Sequence, residues 1–192
     1  MKSELLEKCI HQPLRQFLGH SLKECFYHDV FGQDLLTTNN KGIDIIAQQL
    51  ELIFDNNESI FISWDTIDGW HQYSLSISNK AFCKNTERYL ANSSFWQYYI
   101  GSAFSGYEVY GYVENKIITY NALNIPINTA CYYNEPHLVL LYFDNITVAI
   151  ANFCLEDDFV PTLPMGDDVW ILFDPISIQL CIKKLGLEKL EA

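Results

Sequence analysis

Basic residues are scarce in this sequence. Its 192 residues include 12 lysines and arginines against 24 aspartates and glutamates, a formal net charge of −12. Nucleic-acid binding rests on Lys/Arg neutralisation of phosphate, so nucleic acid is excluded as a partner, and an anionic membrane surface is repelled equally. The same field attracts and steers a basic protein. Long apolar runs are missing too. The longest, such as Leu138–Phe143, are far too short to span a bilayer. The opening Met1-Lys2-Ser3-Glu4-Leu5-Leu6-Glu7 is charged and lacks the apolar core of a signal peptide, so a cytoplasmic protein with no membrane partner is expected.

The signatures of common chemistries are also absent. There is no phosphate loop, no Gly-x-Gly-x-x-Gly, no Gly-x-Ser-x-Gly and no His-Glu-x-x-His. Histidines stand at 11, 20, 28, 71 and 137, never at the three- or four-residue spacing that puts two ligands on one helical face. Cysteines 9, 25, 83, 131, 154 and 181 are scattered without a Cys-x-x-Cys pair, which reads as free thiols behaving as small hydrophobes rather than as a metal or redox site. No metal, cofactor or catalytic residue is therefore expected.

What the chain has in quantity is apolar surface. Hydrophobic residues make up 49% of it and charged residues only 19%, which is too apolar for disorder and enough for a sizeable core. One pattern occurs twice. Leu50–Phe54, Asp55-Asn56 and Ile60–Trp64 form an apolar run, a turn and a second apolar run; Leu138–Phe143, Asp144-Asn145 and Ile146–Ile150 repeat it. Each reads as a β-hairpin, with the Asp-Asn pairs as turn residues. Tyr73, Leu75 and Ile77 alternate with Ser74, Ser76 and Ser78, adding a third strand with one solvated face. The second hairpin is more continuously apolar, as expected of central strands covered on both faces.

Helical signals sit at the two ends. Leu6, Ile10, Leu14, Phe17 and Leu18 recur at helical spacing up to Gly19, with Pro13 predicting a kink or a break. Near the other end, Asp174 stands as N-cap, Pro175 in the first turn, Lys183-Lys184 in the last and Gly186 just beyond. Between them, Ser93–Gly101 reads as a short helix. A hairpin turning at Glu114-Asn115-Lys116 is expected to join Tyr107–Val113 to Ile117–Tyr120, and Asn121–Pro136 reads mostly as loop. No linker or charge block divides the chain. The expectation is a single α+β domain over residues 1–192: an antiparallel meander of hairpins with short helices near both termini.

Two stretches carry candidate function. Asp65-x-x-Asp68-Gly69-Trp70-His71 brings two carboxylates, an aromatic ring and an imidazole together, a set that suits a partner surface or, alternatively, a metal-dependent or hydrolytic enzyme. Asp68-Gly69 is equally a hairpin turn signal. The second is the acidic stretch of Glu156, Asp157, Asp158, Asp167 and Asp168, punctuated by proline and glycine and expected to be a solvated loop that a basic partner reads. His28-Asp29 with Asp34 is a lesser acid/base candidate. The aromatic cluster Phe95–Tyr99 with Tyr107, Tyr110 and Tyr112 lacks interleaved Lys or Arg, which favours core or protein interface over base stacking.

The phrases Ser94-Phe95-Trp96 with Ile100-Gly101, and Asp168-Val169-Trp170-Ile171-Leu172-Phe173, are similar to ones in uncharacterised bacterial proteins. Some of those resemble immunity proteins of contact-dependent and other polymorphic toxin systems. The resemblance implies a non-enzymatic module that binds and neutralises a cognate toxin, often a basic nuclease, with exposed Tyr and Trp such as Trp70 as anchors beside the acids.

Overall fold

Leu6, Ile10 and Leu14 lie buried along one stripe of a helix that the computed structural model builds from Glu4–Leu6, Glu7–His11 and Gln12–Arg15. The middle segment is a π-turn, in which the Gln12 N–H reaches back five residues to the Glu7 carbonyl. Pro13 follows at once. Proline lacks an N–H and crowds the preceding turn, and the widened turn accommodates it without ending the helix. Gly19 stops the segment at φ 87°. Leu18, expected inside, is exposed. The structure describes residues 4–29, 42–70, 73–91, 94–156, 160–162 and 168–191.

In chain order the strands are β1 (Leu22–Asp29), β2 (Ile43–Ile46), β3 (Gln49–Phe54), β4 (Ser59–Asp65), β5 (Ser74–Ser78) and β6 (Glu87–Leu90). There follow β7 (Phe104–Tyr120), β8 (Pro126–Phe143), β9 (Ile146–Glu156), β10 (Val160–Thr162), β11 (Asp168–Leu172) and β12 (Glu188–Leu190). They form two antiparallel sheets. One has the order β5-β4-β3-β1-β6; the other runs β12-β7-β8-β9-β11-β2, with β10 paired to β9. A short 3-10 turn, Trp96–Tyr98, precedes β7, and a helix, Pro175–Leu185, links β11 to β12. That helix is capped as its sequence requires: the Asp174 carboxylate accepts the Ser177 N–H at 2.8 Å, and Gly186 takes the left-handed conformation at φ 62°.

Packing follows the two-residue period of the strands. Val139, Leu141, Val148, Ile150, Val169 and Ile171 face the other sheet's Leu50, Leu52, Ile60, Ile62, Leu75 and Ile77, together with the N-terminal helix. The alternate residues Leu138, Leu140, Ala149, Ala151, Trp170 and Leu172 pack against Ile178 and Cys181 of the C-terminal helix. The β8–β9 hairpin is thus covered on both faces, as its continuous apolarity predicts.

Both Phe-Asp-Asn turns close hairpins, β3–β4 and β8–β9, and these hold equivalent places. In the first sheet β1 lies between β3 and β6, with β4 and β5 beyond β3. In the second, β7 lies between β8 and β12, with β9 and β11 beyond β8. The joint between the sheets is reciprocal. Gly19 N–H donates to the Phe104 carbonyl at 2.8 Å and Gly101 N–H to the Leu22 carbonyl at 2.7 Å, and both glycines have left-handed φ, 87° and 89°.

Three further expectations are corrected. Ser74 and Ser76 are buried rather than solvated, because β5 packs against β8 and the N-terminal helix. Glu114-Asn115-Lys116 is not a turn, since β7 runs unbroken through it for 17 residues. Most of Asn121–Pro136 is not loop but the first half of the 18-residue β8.

Candidate functional site

β7 and β8 are paired along their whole lengths, yet their neighbours stop early. β12 pairs with β7 only over Val109–Gly111, and β9 leaves β8 at the Leu138–Ala151 pair. Beyond Gly111 and Pro136 the two strands continue as a ribbon, an arm standing out from the sheets. Its tip is a turn set by Asn121, whose Oδ1 accepts the N–H groups of Leu123 (2.9 Å) and Ile125 (3.0 Å), while Asn124 adopts φ 58°.

The root of the arm is built with care. Tyr110 pairs with Leu138 and Gly111 with Pro136, which leaves His137 as an extra, bulged residue. Glycine is required opposite the bulge: a Cβ at Gly111 would collide with the Glu135 carbonyl oxygen. The bulge turns His137 into a buried polar cluster. His137 Nδ1 lies 3.3 Å from Asn152 Oδ1, and its Nε2 stands 3.9 Å from Glu135 Oε2, beyond hydrogen-bond range. Glu135 accepts from Ser74 Oγ at 3.0 Å and from Asn115 Nδ2 at 2.6 Å. Asn152 Nδ2 donates to the carbonyl of Tyr73, itself at φ 62°. Burial alone would push the Glu135 carboxyl up, but His137, Asn115 and Ser74 together hold it below its ordinary value. Tyr112 meets His137 edge-on at 5.4 Å and donates to the Leu185 carbonyl at 3.2 Å. Glu135, His137, Asn152 and Ser74 are all buried, so the cluster fixes the arm rather than meeting a substrate.

The arm's surface is unlike the rest of an acidic chain. Its residues 112–134 contain one acid, Glu114, and one base, Lys116. Tyr120, Leu123, Ile125, Ile127 and Tyr133 are each more than half exposed, Leu123 at 78%. Cross-strand pairing puts Glu114 beside Tyr133, Lys116 beside Cys131 and Ile118 beside Thr129 on one face. Asn115, Ile117, Ala130 and Tyr132 occupy the other and are partly covered.

The residues singled out from sequence fall elsewhere. Asp65 ends β4 and accepts the Thr66 N–H at 2.8 Å; Asp68 is exposed in the turn before Gly69 (φ 103°). Trp70 is only 4% exposed, so it is a core residue and not a surface anchor. His71 lies outside the described residues, as do Asp157, Asp158, Asp167 and Asp34. The backbone of Glu156 ends β9 opposite Val160. Asp168 opens β11 opposite Phe153 and is half-buried, so it belongs to a strand rather than a solvated loop.

Neither enzymatic candidate gains support. A groove of about 360 Å³ between the N-terminal helix and β5 is lined by Lys8, Cys9, Gln12, Asp65, Ser76 and Phe82, among others, but Asp68 does not reach it. Burial pushes the Cys9 thiol up despite Lys8, the opposite of what activates a nucleophile. His28 is held at both ring nitrogens, by Glu51 Oε2 at 2.9 Å and Thr86 Oγ1 at 3.2 Å. Burial raises the Glu51 carboxyl, and bonds from Arg88, His28 and Ser59 more than offset this, leaving it below its ordinary value. That network pins β1, β3 and β6 together. Among the described residues no group of three or more His, Cys, Asp or Glu side chains is arranged to hold a metal ion. No described helix is long and apolar enough to cross a membrane.

No protein family, no curated protein and no solved structure matches this chain at a significant level.

The arm escaped sequence reasoning because polar Glu114-Asn115-Lys116 and the several asparagines of 121–134 mimic turn composition. A usable signal was present. Ile127, Thr129, Cys131 and Tyr133 alternate with Asn128, Ala130 and Tyr132, a two-residue period rich in β-branched and aromatic side chains.

Proposed function

We propose that this chain is a non-enzymatic binding protein whose arm docks onto a basic protein partner, a role of the kind the resemblance to toxin-neutralising immunity proteins implies. The observation that carries the reading is the set of exposed Tyr120, Leu123, Ile125, Ile127 and Tyr133 on a ribbon without net charge. Exposed aromatic and aliphatic side chains grouped on one projecting element suit an interface core, where charge is depleted. The formal charge of −12 on the chain supports a basic partner by steering its approach. In this reading Glu156, Asp157, Asp158, Asp167, Asp168, Asp65 and Asp68 contribute to the field, while the arm provides short-range anchoring.

The test is affinity capture from the native host with the full chain and with an Ile125→Ser/Ile127→Ser variant. The expected result is a stoichiometric basic protein, held by the native chain and lost with the variant, whose association slows as salt rises. Recovery of no stoichiometric partner, or equal recovery by both chains, overturns the reading.

A further inference from the structure

The arm leaves part of a strand edge without a neighbour. β12 pairs with β7 over Val109–Gly111, and the Tyr112 hydroxyl donates to the Leu185 carbonyl, so the end of the C-terminal helix lies beside Tyr112. From Val113 to Tyr120, β7 has β8 on one side and, among the described residues, no strand on the other. Such an edge presents unpaired amides and carbonyls that template another strand, and proteins ordinarily blunt it with proline, lysines or a covering element. β7 has no proline and a single lysine. Val113, Ile117, Ile118, Thr119 and Tyr120 are β-branched or aromatic, the side chains that strands favour. The β8 edge is better guarded, by Pro126 at its start, Pro136 at its root and Asn134 at φ 52°.

We propose that Val113–Tyr120 takes an extended segment of the basic partner as an added strand, turning the two-stranded arm into a three-stranded sheet. This deepens the reading above and rests on it: the arm is the docking element in both, and strand addition is how it docks. Main-chain hydrogen bonds along the edge supply the affinity, and alternate side chains select the segment. Glu114, Lys116 and Ile118 lie on the same face as Tyr133. Glu114 has no ion-pair partner among the described residues, so a cation beside it in the added strand is paired. Lys116, two residues along, disfavours a second cation there, and an apolar side chain beside Ile118 extends the apolar face.

The charge of −12 chooses between occupants. It repels a second copy of this chain and attracts a basic segment. The free edge, roughly 27 Å long at 3.4 Å per residue, matches a strand of ordinary length. A strand confined to Val113–Tyr120 leaves β12 and its pairing with Val109–Gly111 undisturbed.

Amide hydrogen exchange of the full chain, read residue by residue by NMR, tests it, first alone and then with the basic protein recovered by the capture described above. In the free chain β8 is expected to protect alternate amides of Val113–Tyr120, while the others exchange freely. In the complex those others are expected to slow about a hundredfold or more, and the outward amides of Ile127–Tyr133 on β8 are expected to stay as they were. A complex that leaves the β7 edge unprotected, or protects the β8 edge instead, overturns strand addition at β7 and leaves the arm as the docking element. Full protection of Val113–Tyr120 without the partner does the same, and protection that grows with chain concentration assigns the edge to a second copy. Recovery of no partner overturns both readings.

Discussion

Asp55 and Asp144 hold the same post on opposite sides of one backbone bridge. The Asp55 N–H donates to the Ser21 carbonyl at 2.9 Å, and its carboxylate accepts the Ser21 N–H at 3.2 Å. The Asp144 N–H donates to the Ala103 carbonyl at 3.0 Å, and its carboxylate accepts the Ala103 N–H at 3.2 Å. Ser21 and Ala103 pair with each other. The preceding phenylalanines, Phe54 and Phe143, both pack against Phe104, at 6.1 and 5.5 Å between ring centroids. The two turns that look alike in sequence are alike because they clamp the two halves of the same joint.

Shared duty implies coupling. Asp55→Ala and Asp144→Ala are each expected to lower the urea midpoint. The double variant is expected to fall short of the sum, because either loss already loosens the bridge that the other clamps. Additive losses in a double-mutant cycle would show that the turns act separately. Asp55 has a further partner, His20 at 2.7 Å, and that hydrogen bond together with the Ser21 amide holds its carboxyl below the ordinary value.

Gly111→Ala is expected to cost at least about 2 kcal/mol, since the methyl group meets the Glu135 backbone and not a yielding side chain. The damage should be local to the root. Hydrogen exchange is expected to rise at Tyr110–Tyr112 and Glu135–Leu138 before the β3–β4 hairpin changes, and uniform exchange across both sheets would contradict this.

Glu135 gives the fold an acid-labile component. Its folded carboxyl lies below the ordinary value of 4.5, so its contribution is fully present above that pH and is lost as pH falls through the lower folded value. Glu135→Gln keeps the shape and removes the charge. It should be less stable than the native chain at pH 7 by about 2 kcal/mol. The gap should close as the pH drops below 4.5. Denaturation at stepped pH measures it, and a gap that stays constant into acid would remove Glu135 from the account.

Two leucines separate packing from presentation. Leu141→Ala, in the core shared by both sheets, is expected to cost roughly 2–5 kcal/mol. Leu123→Ala, at the arm's tip, should change stability by no more than about 0.5 kcal/mol while weakening capture of the partner. Urea titration and binding of the same two proteins give the comparison.

The frame was legible wherever a short window contained both the period and its punctuation. The β3–β4 and β8–β9 hairpins show alternating or continuous apolar runs around Asp-Asn, and the last helix is bracketed by Asp174-Pro175 and Lys183-Lys184 with Gly186. The arm was not, because its two-residue period at Ile127–Tyr133 lacks the apolar-in, polar-out contrast that burial imposes, and the polar Glu114-Asn115-Lys116 beside it reads as a turn. The same limit misplaced Trp70. A large ring in a polar phrase looks like an anchor, and only the packed structure shows it turned inward. β12, three residues long, carries no pattern of its own and exists by pairing with β7.

The arm is extra length on one of the two strand pairs that hold equivalent places in their sheets. β7 and β8 have 17 and 18 residues, while their counterparts β1 and β3 have 8 and 6. The added length lies at the strand ends remote from the Ser21–Ala103 joint, so it extends that pair without disturbing the clamp. A framework stated twice leaves one statement free to be elaborated. The arm's reach is then a quantity that two-residue insertions or deletions can tune while each side chain keeps its face.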